Sequence, residues 1–516
     1  MLFNSYPFIF VFLPIVLAGY YLIGGQGHHR IAAVWLVAAS LFFYGWWNPA
    51  YLGLIMGSML FNYAVGVSLL GSNRVLAKKV LVFGIIANLS LLAYYKYANF
   101  LIDTTNKIFK SDFNLATIIL PLGISFFTFL QIAYLVDTYS KKARQYNFLN
   151  YCLFVLFFPH LIAGPLVHHR EILPQFAKNT TYVFNYRHFT AGFAIFVIGL
   201  FKKVVLADST TVYATTTFNL AESGVPLTLA AAWGGAIAYS FQLYFDFSGY
   251  SDMAIGLSKL FGVRLPMNFN SPYKSTSIIE FWRRWHITLS RFLKDYLYIP
   301  LGGNRKGKTR QLLNLLITMT IGGLWHGAGL KFILWGAIHG CLLIINNLWR
   351  NLNSFLNQKL KLNSFFSTAL TFAVVTAAWV PFRAASMKGT LIMWHGMFGL
   401  NGVMLPPSWQ EKLGALSPWL LEHNVRFVRL FEQVGAVKVV DILWFLLLTY
   451  CVFFLPNTQQ LMRRYRPVYE KSISYQAENT QLLWRPTIIW SLIMAGLFFY
   501  SVLGLSRISE FLYFQF

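Results

Sequence analysis

EFWRRWHITLSRFLKDYLYIPLGGNRKGKTRQLLNLLITMTIGGLWHGAGLKFILWGAIHG, residues 280–340, joins a basic aromatic segment, a glycine-rich turn and a histidine inside an apolar run. At 3.6 residues per turn, Phe281, Trp282, Trp285, Leu289, Phe292, Leu293, Tyr296 and Leu297 share one face of a helix. Arg283, Arg284, Arg291, Lys294 and Asp295 take the opposite face, the pattern of one helix lying in a membrane interface. His286 falls on the apolar side. Leu312 to Trp325 is almost purely apolar and follows the basic turn Arg305, Lys306, Lys308, Arg310. A helix running inward from Arg310 puts His326 about 24 Å along, at about 1.5 Å per residue. The hydrocarbon core is about 30 Å thick, so His326 is expected inside the bilayer.

An ionisable residue at that depth is costly and marks a candidate functional site. Imidazole suits a general base, because its pKa lies near neutrality and either nitrogen can carry the proton. The plainer reading is a hydrogen bond between helices. Gly322 and Gly323 before His326, and Gly327 and Gly329 after it, argue for close backbone approach or an open channel, which favours the functional reading.

Working outward, composition sets the class. The chain has 516 residues, 57% of them hydrophobic, 18% aromatic and only 11% charged, which excludes an ordinary soluble globule and predicts an all-α polytopic membrane protein. The net charge of +25 does not imply nucleic acid, since Lys and Arg gather in short loops between apolar runs and so orient the chain in the lipid bilayer. Cys152, Cys341 and Cys451 lie in or beside apolar runs without disulfide or zinc spacing, and read as small buried hydrophobes. Tyr6 to Ile23 lacks the charged start and cleavage site of a signal peptide and is expected to be a retained helix. Basic clusters at Arg30, at Arg74, Lys78 and Lys79, and at Lys141, Lys142 and Arg144 mark alternate loops, consistent with five crossings that begin outside.

Beyond Asn150 the apolar runs 150–165, 189–206 and 252–262 are short or interrupted, as expected of broken helices around a tunnel. His160, His168 and His169 lack metal-site spacing and read as structural. Asp246 and Asp252 follow the apolar run 227–245 and need cationic partners, which the stretch 283–310 could supply. An ion pair, a helix cap or a place on the donor path are the alternatives. Ser277, three residues before Glu280, is a plausible capping box. The loop 299–310 lacks a phosphate-loop pattern, and its cations suit anionic lipid or a phosphorylated donor. His339 and His395 are expected to make helix-packing hydrogen bonds, and 406–438 to hold a small surface helix. Loop 457–486 carries Arg463, Arg464, Arg466, Lys471 and Arg485 and should face the cytoplasm; the span Thr487 to Leu505 then places SRISEFLYFQF outside.

Four segments carry a family resemblance: FFPHLIAGPLVHHREILPQF (157–176), SFQLYFDFSGYSDMAIGL (240–257), FWRRWHITLSRFLKDYLYIPLGGNR (281–305) and GGLWHGAG (322–329). They resemble the membrane-bound O-acyltransferase family, in its bacterial alginate O-acetylation branch. The resemblance implies one membrane domain over 1–516, with about 11–13 helical segments around a tunnel and a catalytic core in 266–345. It implies His326 as the catalytic histidine and His286, at the second family histidine position, as a second catalytic residue that helps position donor or acceptor. Asp246, Asp252, Trp325, Arg283, Arg284 and Asn304 are expected to line the donor path. No bound metal or cofactor is implied, and the donor is expected to be acetyl-CoA or another acyl thioester or acyl carrier. A similar terminal motif in related export systems implies that the tail 506–516 hands the acyl group through Tyr513 to an extracytoplasmic partner, an SGNH-hydrolase-like acyltransferase acting on a polysaccharide. The expected location is the bacterial inner membrane.

Two other classes compete. Broken helices and buried polar groups also fit a polymer or lipid-linked sugar transporter, yet neither WRRWH nor LWHGAG has a second copy. A scaffold for an outer-face enzyme explains the tail but not an intramembrane His326.

Overall fold

The computed structural model describes residues 1–141, 147–356, 363–423, 425–427, 438–469, 482–506 and 512. These residues are predominantly helical; Val403–Leu405 and Val425–Phe427 form a short parallel ladder. Among the described residues, six helices are long and apolar enough to cross a membrane: Phe8–Gly25, Ala50–Gly71, Arg74–Phe109, Tyr186–Glu222, Leu330–Phe355 and Ser364–Arg383. Four shorter apolar helices accompany them, His29–Gly45, Ile124–Tyr139, Val439–Phe453 and Ile488–Gly504. Large apolar side chains such as Leu443, Leu446, Ile488 and Leu492 are exposed on these helices. An outward apolar surface of that extent belongs in lipid. The all-α, multi-pass reading of the sequence stands.

The helices group into two compact units. One comprises Met1–Val204, Ser248–Asn268 and Pro456–Phe516. Its five N-terminal helices follow the apolar runs, but Arg30 and the cluster Arg74, Lys78 and Lys79 stand near the starts of helices and not in loops. Asn73 caps the helix Arg74–Phe109 by accepting from Leu76 N–H at 2.9 Å, and Lys110 ends it in a left-handed conformation. Polar side chains join three of these helices inside the apolar pack. Asn62 and Asn88 exchange amide hydrogen bonds of 3.1 and 2.7 Å, and Ser58 Oγ donates to Gln131 Oε1 at 2.9 Å.

Two of the three runs expected to be broken are continuous. The run 189–206 lies within the long segment Tyr186–Glu222, through a π-helical turn at Lys202–Ala207. The run 252–262 is the end of the helix Leu229–Leu260, which also contains Asp246 and Asp252. Ser and Gly interrupt hydropathy there without interrupting backbone hydrogen bonding. Only 150–165 is broken, into Phe148–Leu156 and Phe158–Leu161 around Pro159. Cys152 is buried as expected, whereas Cys341 is exposed on an outward helix face.

The second unit comprises Val205–Phe247 and Phe269–Leu455. Its centre is a helical hairpin, Lys308–His326 and Leu330–Phe355, joined by three residues. The two backbones meet where neither has a side chain. A Cβ on Gly323 would lie 2.2 Å from Phe332 O, and one on Gly336 2.3 Å from Met319 O. Of the alternatives raised by the glycines around His326, close approach is the one Gly323 adopts. Helices Ser408–Lys412 and Leu416–Glu422 occupy the described part of 406–438.

Candidate active site

His326 is the last residue of its helix, and the hairpin turn Gly327–Gly329 begins immediately after it. Its side chain is buried. Three aromatic rings stand around the imidazole: Trp325 at 4.8 Å between centroids, Trp335 at 5.0 Å and Phe382 at 5.2 Å. Trp335 comes from the facing helix, and the Gly323–Gly336 contact brings it there. Phe382 comes from the end of Ser364–Arg383, beside Pro381.

The sequence reading missed the other side of Trp335. His339 lies one helical turn on, 4.9 Å from the Trp335 ring and 5.8 Å from Trp379. Trp282 Nε1 donates to His339 Nδ1 at 3.3 Å, the helix-packing bond expected of this histidine. Indole N–H is a donor only, so His339 Nδ1 must accept and its ring proton sits on Nε2. Both histidines therefore border one indole. The i, i+4 spacing of Trp335 and His339 was the available signal. His395, by contrast, is exposed on the helix Met387–Met397.

His286 takes a different place. The basic aromatic segment is two helices and not one, Ile278–Arg284 and Ile287–Leu293, followed by a π-helical turn Lys294–Tyr298. The break is at His286, whose backbone is left-handed (φ 41°, ψ 53°). Histidine is among the residues that enter this region more readily than most. The periodicity held across the break because both pieces bury the same aromatic face. Asn270 holds the break: its N–H donates to Arg284 O at 2.9 Å, and Arg284 Nη1 donates to Asn270 O at 3.4 Å. The His286 ring is buried edge-on to Phe247 at 4.7 Å and stacked on Phe269 at 6.4 Å. Phe269 then meets Trp285 (5.0 Å), Trp285 meets Trp379 (5.0 Å) and Trp379 stacks on Trp335 (5.6 Å). An aromatic chain thus separates His286 from His326.

The capping box is half formed. Ser277 Oγ accepts from Glu280 N–H at 3.2 Å, but the Glu280 carboxylate turns to Thr276 N–H and Oγ, both at 2.8 Å, and to Arg284 at 2.8 Å. Burial opposes the Glu280 charge; the Thr276 bonds and the Arg284 guanidinium outweigh it and hold the carboxyl below its ordinary range.

The remaining expected donor-path residues scatter. Trp325 is buried against His326, Arg283 is exposed, and Arg284 serves the clasp with Asn270 and Glu280. Asn304 is exposed and accepts from Tyr298 O–H. Asp246 is buried in the second unit. Asp252 belongs to the first unit, and its cationic partner is Lys202 (2.7 Å), not a residue of 283–310. Thr458 Oγ and Gln459 Nε2 also donate to it, at 2.6 and 2.7 Å. Such a buried, multiply bonded pair has the chemistry of a structural node. His169 Nε2 lies 3.1 Å from Asp137 Oδ2, and the N–H of His168 donates to Glu171 at 3.0 Å, structural roles as read from the sequence. Tyr513 lies outside the described residues.

His326 is thus a buried histidine presented by a helix end within aromatic walls, in a chain of lipid-facing helices. The family model of the membrane-bound O-acyltransferases, MBOAT, matches residues 85–359, and the chain belongs to that family. It is an O-acyltransferase. It is 46% identical to a peptidoglycan O-acetyltransferase of Helicobacter pylori over 78% of this chain and 81% of that one. It is 39% identical to a probable alginate O-acetylase AlgI of Pseudomonas putida over the whole of both chains. A teichoic acid D-alanyltransferase of Streptococcus thermophilus is 29% identical over 46% of this chain and 60% of that one.

Proposed function

We propose that this enzyme transfers an acetyl group from a cytosolic thioester, acetyl-CoA, to the outer face of the inner membrane for O-acetylation of a cell-envelope polysaccharide, with His326 as general base. The observation that carries the reading is the setting of His326, buried at a helix end among Trp325, Trp335 and Phe382. A thioester is already activated, so the site has to orient it, exclude water and remove one proton. The acceptor oxygen attacks the thioester carbonyl carbon while His326 takes the hydroxyl proton. The C–S bond breaks, and the thiolate leaves with the proton that His326 returns. The aromatic walls disfavour hydrolysis by keeping water from the ring. The acetyl group and the polysaccharide acceptor are supported by the names of two relatives that each share most of this chain. The exposed Arg305, Lys306, Lys308 and Arg310 attract the phosphates of the donor. Tyr513, in the extracytoplasmic tail, receives the acetyl group for an SGNH-hydrolase-like partner.

The test is the purified enzyme in detergent with radiolabelled acetyl-CoA, wild type beside His326→Ala and Tyr513→Phe. Thioester cleavage in the wild type and its loss in a folded His326→Ala support the reading, and protein-bound label that forms in the wild type but is absent from a folded Tyr513→Phe supports the relay. A wild type inert with acetyl-CoA, with other acyl donors and with added partner would overturn it.

A further inference from the structure

The first unit contains a cavity of about 660 Å³ that the transfer chemistry does not use. That volume lies within the roughly 300–1,000 Å³ of small-molecule sites. Arg187, Lys259, Arg264, Arg464 and Arg466 line it together with His188, and among the described residues no carboxylate does. The cations are held by the backbone. Gln175 grips Arg264 from both sides, its Nε2 donating to Arg264 O and its Oε1 accepting from Arg264 N–H, each at 2.9 Å. Buried Lys259 donates from Nζ to the carbonyls of Tyr465 (2.9 Å) and Arg466 (3.2 Å). This fixes the turn that carries Arg464 and Arg466, the latter left-handed at φ 45°. Arg187 and His188 lie in the first turn of the helix starting at Tyr186, whose positive end adds to the field.

Like charges repel, so gathering the guanidiniums of Arg187, Arg264 and Arg464 beside buried Lys259, with no lining carboxylate among the described residues, is unfavourable until an anion arrives. Guanidinium forks match phosphate oxygens, and basic pockets beside membrane helices bind phospholipid headgroups. We propose that this cavity is a binding site for a phosphate-bearing anion with at least two negative charges. The ligand chemistry is a pair of phosphates, as in cardiolipin or a free diphosphate.

The experiment is thermal melting of the enzyme in neutral detergent with added cardiolipin, phosphatidylcholine or inorganic pyrophosphate. The proteins are the wild type, the double variant Arg264→Gln/Arg464→Gln, and Arg187→Glu, a single change at an exposed position. Binding to the folded state raises the melting temperature. The expected result is a rise of a few degrees with cardiolipin or pyrophosphate but not phosphatidylcholine, abolished in the double variant, reduced in Arg187→Glu and weakened by salt. A rise with cardiolipin alone identifies the source as lipid, and a rise with pyrophosphate identifies it as soluble phosphate. No rise with either, or an undiminished rise in the variants, overturns the site. Should the double variant fail to fold, Arg187→Glu decides.

Discussion

His326 and His286 are both buried imidazoles beside aromatic rings, and they differ in what their backbones do. His326 closes a regular helix and presents its ring between Trp325, Trp335 and Phe382. His286 occupies a left-handed corner between two short helices, with its ring packed on Phe247 and Phe269. A ring at the end of a helix can meet a substrate without disturbing the fold. The corner residue carries the left-handed backbone as well as its ring, so a substitution there acts on the path of the chain unless the new residue tolerates that conformation.

The sharpest test of that contrast compares the two alanine variants. His326→Ala should lower acetyl transfer by about 10²- to 10⁴-fold, the usual worth of a general base, and lower the melting temperature less than His286→Ala does, since it loses ring packing but no left-handed backbone residue. His286→Ala should do the reverse, costing about 1–3 kcal/mol of stability from lost ring packing and the left-handed backbone, with a much smaller loss of turnover per folded molecule. Equal losses of turnover in folded protein would break the distinction. Next in size is Gly336→Ala. Its Cβ would lie 2.3 Å from Met319 O, and backbone atoms have no rotamer with which to withdraw. The hairpin must spread, at a cost of about 1–3 kcal/mol. Because Trp335 precedes the substituted residue, transfer should fall together with stability, which detergent melting and turnover measured on one preparation would reveal.

A subtler separation uses His286→Asn. Asparagine tolerates the left-handed region but brings no ring. Stability intermediate between wild type and His286→Ala assigns the corner role to the backbone, whereas a melting temperature equal to that of the alanine variant assigns it to the ring.

These distinctions explain how much the sequence could convey. The apolar runs, the loop cations and the placement of His326 at the end of an apolar helix were legible because hydropathy and periodicity report which face is buried. The break at His286 was not, because both helices bury the same stripe and a reversal of φ at one residue leaves that stripe intact. Glycine spacing hinted at a close crossing but not at Trp335 as the residue it delivers. The neighbourhood of His326 is tertiary, since Phe382 arrives from a helix more than fifty positions away in the chain. Asp252 illustrates the same limit. Its need for a cation was readable, but Lys202, Thr458 and Gln459 come from stretches that no local pattern connects.

The smallest expected effect probes the clasp that sets the His286 corner. Glu280 accepts from Thr276 and pairs with Arg284, whose backbone and guanidinium both engage Asn270 just ahead of the break. These partners hold the folded carboxyl below the unfolded value of about 4.3. A depressed folded pKa contributes stability that is fully present above the unfolded pKa and is lost as pH falls through the folded one. Melting temperature followed downward from neutral pH should therefore fall more steeply for wild type than for Glu280→Gln once the ordinary glutamate range is passed. The glutamine variant should begin slightly lower at neutral pH, since an amide can replace one acceptor bond but not the pairing with Arg284. Parallel curves would mean that the corner is held by Asn270 and the aromatic packing alone, and that the carboxylate is incidental to where His286 sits.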